Sequence, residues 1–174
     1  MNRIKLIFIA IVILAISCSE EEDTKSYSVI STTVKIAIVN DQGEDMLDPQ
    51  IQNHFDENDI KVFHKINGEL EVFSEGLLDA SRGFKIYKPY ELGFNEQYLF
   101  CLLATDPSYK TGSLDDYMPI AYIQWNETDM DTLQCQYQET GAILRTVTVW
   151  FNGIEKWNYE NTYNNDPRLI EIVK

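Results

Sequence analysis

From Thr32 onward the chain is written with a period of two. Val34, Ile36 and Ile38 alternate with Lys35, Ala37 and Val39, and the run stops at the turn residues Asn40-Asp41-Gln42-Gly43. Ile60, Val62, His64 and Ile66 alternate with Lys61, Phe63 and Lys65. Asn67-Gly68 then reads as a hairpin turn, because both residues tolerate positive φ, with Leu70 to Phe73 as the returning strand. Phe84 to Tyr87 predicts a short strand. Gln97 to Thr105 is nearly all apolar and predicts a strand buried on both faces. After a polar loop, Asp106 to Pro119, comes a strand at Ile120 to Trp125. Leu133, Cys135 and Tyr137 alternate with Gln134, Gln136 and Gln138, and Glu139-Thr140-Gly141 turns that strand into Ile143 to Phe151. Asn152-Gly153 is a second hairpin signal before Ile154 to Tyr159, and the last strand is Leu169 to Val173. About nine short strands at regular spacing, with no long helical period, predict an all-β domain: an antiparallel β-sandwich, immunoglobulin-like or related. Leu47, Ile51 and Phe55 are spaced for a short helix, but the polar crowd from Asp56 to Asp59 favours an ordered loop.

The start of the chain follows a different rule. Met1 to Lys5 is basic, Leu6 to Ile16 is an apolar run of eleven residues, and Ser17-Cys18 precedes the acidic patch Ser19-Glu20-Glu21-Glu22-Asp23. A run that short falls well below the roughly 20 residues a spanning helix needs and fits the core of a secretory signal. The layout resembles a bacterial lipoprotein signal: residues 1–17 removed, Cys18 lipidated, residues 18–31 an acidic tether, residues 32–174 the β-sandwich domain. Ala15 stands where such signals usually carry Leu. Cys18-Ser19-Glu20 also resembles the start of Bacteroidota lipoproteins that are routed to the outer face of the outer membrane. Gly43-Glu44-Asp45-Met46-Leu47-Asp48-Pro49, Trp150-Phe151-Asn152-Gly153 and Ile170-Glu171-Ile172-Val173-Lys174 are the other points of likeness to the small surface lipoproteins of that group. The resemblance implies a lipid-anchored cell-envelope protein and brings no catalytic residues with it.

Charge narrows the partners. The chain carries 14 basic and 28 acidic residues. Loss of Arg3 and Lys5 with the leader leaves 12 basic residues and a net charge of −16. Such a surface repels phosphate backbones and anionic headgroups, so nucleic acid is excluded and the membrane is reached through lipid on Cys18. Cys101 and Cys135 remain, either as a disulfide in an oxidising compartment or as two buried thiols.

Chemistry-bearing patterns are sparse. His54 and His64 are the two histidines, one in a polar loop and one in a strand, and no nucleophile elbow accompanies them. No spacing singles out a carboxylate pair for glycoside hydrolysis. No cofactor is required; the weak metal candidate is calcium at Asp41, Asp45 and Asp48 around the Gly43 turn. Tyr109 and Tyr117 in the long loop, and Trp157 in a strand with Tyr159, are the candidate ligand contacts. Asp131-Thr132-Leu133 resembles the O-glycosylation sequence of Bacteroidota exported proteins, which would place a sugar on Thr132. These features lead to the expectation of a non-enzymatic outer-membrane lipoprotein acting as a surface-exposed protein-interaction or accessory module. The alternative is a carbohydrate- or calcium-binding module of the cell surface.

Overall fold

The structure, a computed structural model, describes residues 29–66, 68–74, 80–102, 118–161 and 168–174. The elements in chain order are β1 (Val29–Ser31), β2 (Val34–Val39), β3 (Lys61–Ile66), β4 (Glu69–Val72), β5 (Phe84–Tyr87) and β6 (Leu99–Leu102), followed by β7 (Ile120–Gln124), β8 (Met130–Thr140), β9 (Ile143–Phe151), β10 (Ile154–Asn158) and β11 (Leu169–Val173). The described residues contain no helix, and the 47–55 segment is a series of turns.

The period-two pattern becomes two faces. In β8, Asp131, Leu133, Cys135 and Tyr137 are buried while Thr132, Gln134 and Gln136 are only half-buried. β8 sits near the middle of a seven-stranded sheet of order β1-β9-β8-β7-β3-β4, with β10 paired to the far end of β9. A four-stranded sheet of order β11-β2-β6-β5 packs against it. Between them lies one core: Ile36, Ile38, Phe84, Phe100, Leu102, Ile170 and Ile172 from the small sheet meet Val62, Ile123, Leu133, Tyr137, Leu144, Val149 and Phe151 from the large one. Trp125 closes one end, fully buried, with Phe100 edge-on at 5.0 Å and Phe55 at 5.6 Å. Each such side chain contributes about 1.5–3 kcal/mol through burial.

The purely antiparallel sandwich expected from the sequence is corrected to a mixed one. β1 runs parallel to β9, with Val29 opposite Ile143, and β11 runs parallel to β2, with Ile170 opposite Ile36. Val29–Ser31, assigned by sequence to the tether, is therefore a sheet strand; Arg168 Nη1 donates to Ser31 O and so ties β1 to the start of β11. The described strands number eleven rather than about nine.

The centre of the small sheet is buried on its second face as well, while Lys85, Glu171 and Val173 on that face stay exposed. Ala37, Leu99 and Cys101 point away from the main core and are covered by Leu92, Tyr87 and Leu169. This double burial explains why β2 and β6 read as nearly continuous apolar runs. The cover is the 88–98 segment, and Asn95 holds it. Its Nδ2 donates to Lys88 O (2.7 Å) and Gln97 O (2.9 Å), and its Oδ1 accepts from Leu92 N (3.0 Å). Tyr90 N–H donates to Asn95 O at 2.7 Å, with Tyr90 itself at φ +63°.

The two cysteines are free, not bridged. Cys135 points into the core between the sheets and Cys101 points to the opposite side of the small sheet, so they face different compartments.

Candidate functional site

Among the described residues no strand or helix is layered on the outer face of the large sheet. Cross-strand neighbours share a face, so the register reads it directly. Val72, Phe63, Tyr122 and Thr132 form one row across β4, β3, β7 and β8. Ile120, Gln134, Trp150 and Glu155 form the next across β7, β8, β9 and β10. Leu70, opposite Lys65, extends the apolar part on β4. Leu70 is 46%, Val72 54% and Met130 45% exposed, while Phe63, Tyr122 and Trp150 are half-buried by their neighbours. A band of aromatic and aliphatic side chains thus crosses a sheet whose other side is already packed. Exposed apolar area of this kind, rimmed by polar groups, marks interaction surfaces.

Further along the same face a groove of about 420 Å³ is lined by Gln136, Gln138, Arg145, Thr148 and Tyr159. The Arg145 guanidinium lies 4.3 Å over the Tyr159 ring and donates to Gln138 Oε1 at 2.6 Å. A bulge makes this groove. Gln136 pairs with Thr148 and Tyr137 with Thr146, which leaves Val147 extra in β9. Val147 O then accepts from Tyr159 N–H at 2.8 Å and draws Tyr159 alongside.

A second hollow, about 380 Å³, lies where the 47–58 turns meet β5, between Leu47, His54, Asp56, Asn58, Lys88 and Tyr98. His54 Nδ1 is 3.0 Å from Ile51 O, which orients its ring. Asp56 is turned onto Asn58, whose backbone and side-chain N–H groups hold its carboxyl below the usual range. His64 is half-buried on the inward side of β3, edge-on to Phe73 at 5.3 Å.

The most structured polar cluster clasps the two sheets together. Asp131 lies on the inner face of β8, 6% exposed. It accepts from Trp125 Nε1 (2.6 Å) and Asn152 Nδ2 (2.7 Å), and the Lys174 ammonium, arriving from the end of β11, pairs with it and with Asp129 at 2.6 Å. Burial alone pushes the Asp131 carboxyl up; the Lys174, Asn152 and Trp125 donors together with the Lys174 charge outweigh it and hold the group below its usual range. Asn152 reaches Asp131 because it sits at φ +50° beside Gly153 at φ +77° in the β9–β10 hairpin. These contacts join β8, the β9–β10 hairpin and the end of β11.

The structure places the sequence-derived candidates as follows. Trp157 is corrected from ligand contact to core residue. It lies opposite Val149 and is 6% exposed, because a register shift at Lys156 separates its face from that of Glu155. Tyr159, half-exposed, takes the surface position instead. Asp41, Asp45 and Asp48 do not converge. Asp45 accepts from Leu47 N–H and Tyr98 N–H, and Asp48 from Gln50 N–H. Among the described residues no three His, Cys, Asp or Glu side chains are grouped to hold a metal ion. Burial, with a smaller push from Asp48, raises the Asp45 carboxyl against its two backbone donors. Thr132 lies on the outer face of β8, where its Oγ1 is 3.3 Å from Asn152 Oδ1. Cys18, Tyr109 and Tyr117 lie outside the described residues.

Phe63, Tyr122 and Trp150 went unselected in the sequence, although the signal was present for the first two. Phe63 and Tyr122 occupy the parity opposite to the buried residues of their strands, where polar side chains are the rule, whereas Trp150 shares the parity of the buried Leu144 and Thr146 and is turned outward only by the bulge at Val147. Asp131 carried the converse signal, a carboxylate in step with Leu133, Cys135 and Tyr137. No protein-family model, no curated protein and no solved structure matches the chain.

Proposed function

We propose that the chain is a non-enzymatic module, anchored through lipid on Cys18 to the outer membrane and displayed at the cell surface, that holds a protein partner on the outer face of its large sheet. The observation that carries this reading is the Val72-Phe63-Tyr122 row beside Ile120 and Trp150. Aromatic anchors set among aliphatic neighbours supply most of the energy in protein interfaces. The acidic surface, with a net charge of −14 over the full chain, disfavours nucleic acid and favours a basic partner. The sandwich is in this reading immunoglobulin-like or a relative of it, with Trp125 as the buried core tryptophan. The reading is tested by purifying the lipidated protein from crosslinked cells with Tyr122→Ala and Trp150→Ala in parallel with the parent. A near-stoichiometric protein lost in both variants supports it; a partner held equally by both variants contradicts it.

A second reading rests on the amide-rich groove. Gln136, Gln138 and Thr148 offer donors and acceptors beside the Tyr159 ring, a chemistry suited to a glycan. It requires glycan binding that Gln138→Ala and Tyr159→Ala abolish while Tyr122→Ala leaves it intact.

A further inference from the structure

β4 ends the large sheet, and among the described residues no strand pairs with its far side. Its backbone shows which groups are left open. Phe73 N–H donates to Val62 O at 2.8 Å, and Val72 lies opposite Phe63. In that antiparallel register Val72, and Leu70 two residues before it, direct their own N–H and C=O away from β3. The side chains divide by the same alternation. Leu70 and Val72 continue the apolar band of the outer face, while Glu69 and Glu71 stand exposed on the other side.

Natural sheet edges are usually blunted, and acidic residues are one means of doing so. Here the blunting is selective. A second copy of β4 laid alongside would bring Glu69 and Glu71 against their own kind, and like charges in cross-strand positions repel. The net charge of the chain adds to that repulsion. A strand with the opposite pattern meets no such obstacle. We infer that the β4 edge accepts an extended segment of a partner protein in which apolar residues alternate with Lys or Arg. Its backbone completes the open N–H and C=O groups of Leu70 and Val72. Its apolar side chains lie beside Leu70 and Val72, and its basic ones beside Glu69 and Glu71. This is strand addition, in which the main chain provides affinity and alternate side chains provide selectivity. The inference rests on the partner-binding reading above and adds the partner's conformation and charge pattern.

The test uses the full chain in detergent and three fluorescein-labelled peptides of alternating residues. One alternates Val and Lys, the second is the same peptide N-methylated at every other residue, and the third alternates Val and Glu. The expected result is binding of the Val/Lys peptide alone. Its affinity falls at least about tenfold in Val72→Pro, which deletes an N–H that β3 does not use, and in Glu71→Lys. Amide exchange slows at Leu70 and Val72 on binding. Equal binding of the methylated peptide would show a purely electrostatic contact and overturn the inference without any variant having to fold. Binding that perturbs Trp150 fluorescence without protecting those two amides would also overturn it, while leaving the outer face standing as the partner surface. No binding of the Val/Lys peptide overturns the edge alone. The face reading is decided separately by the Tyr122→Ala and Trp150→Ala purifications.

Discussion

The two sheets have the same chemistry on their inner faces and opposite fates on their outer ones. The small sheet is layered twice at its centre: its inner face meets the large sheet, and on its outer face Ala37, Leu99 and Cys101 are buried with Leu92 of the 88–98 segment, pinned on Asn95, packed against them, while Lys85, Glu171 and Val173 stay exposed. Among the described residues the large sheet is layered once, and its outer face keeps Phe63, Tyr122, Trp150, Leu70 and Val72 at or near solvent. Covering a sheet face costs chain length, here the whole 88–98 segment. Among the described residues the fold covers the centre of one face and leaves the more aromatic one open. That contrast separates a scaffold from a surface with work to do, and it can be broken or sharpened at several points.

The largest effect is expected in the twice-layered sheet. Leu99→Ala, on the outer side of the small sheet but fully buried, should cost about 2–5 kcal/mol in urea unfolding. Ile120→Ala, on the outer side of the large sheet, should cost less than about 1 kcal/mol, as surface changes do. Equal costs would erase the distinction between the sheets.

Next is the clasp that joins them. Lys174→Met strands Asp131 and should cost about 1–3 kcal/mol at neutral pH. The pH dependence has a definite sign. The Asp131 carboxyl is held below its unfolded value, so its contribution is present above an unfolded pKa of about 3.9 and is lost as pH falls through the lower folded value. The gap between parent and Lys174→Met should therefore close in acid. Asp45, raised mainly by burial, acts in the opposite sense: relative to the parent, Asp45→Asn should fare best at neutral pH and worst in acid, on top of a pH-independent cost from losing one of the two acceptors that Leu47 and Tyr98 N–H use. Urea midpoints from pH 2 to 7 for Lys174→Met and Asp45→Asn would check both signs.

Asn95→Ala tests the cover itself. It leaves Lys88 O, Gln97 O and Leu92 N–H without their side-chain partner and should cost about 1–3 kcal/mol. Amide exchange should rise through 88–98 while the large sheet is unaffected. The smallest effect concerns the thiols. Burial pushes Cys135 up to about 12 and Cys101 to about 11, and the two face different compartments. A reductant should leave Tm unchanged, and thiol reagents should reach neither cysteine before unfolding.

Much of this was readable where one strand decides its own faces. Leu133, Cys135 and Tyr137 turned inward as their spacing required, and the apolar run around Leu99–Leu102 is buried on both sides. Asn152-Gly153 forms its hairpin with both residues at positive φ. Illegibility began where a second strand decides. Trp157 faces inward because β10 slips by one residue at Lys156 against β9, and nothing in the local pattern announces the slip. The parallel placements of β1 and β11 depend on neighbours far away in sequence. The 88–98 cover has no period of its own to announce it, because its staple is a single Asn whose partners are backbone groups. Phe63 and Tyr122 stand out of step with the buried residues of their strands, yet only the register shows that they lie side by side, and Trp150 joins them only through the bulge at Val147.

The most direct test compares both outer faces in one sample. Carbene footprinting of intact cells and of the purified protein would report on Tyr122 and Trp150 from the large sheet. The same spectra would report on Tyr90 and Phe94, which are exposed on the 88–98 cover. The account expects Tyr122 and Trp150 to be protected on cells and Tyr90 and Phe94 to label equally in both. Equal labelling of Tyr122 and Trp150, or protection confined to Tyr90 and Phe94, would contradict it.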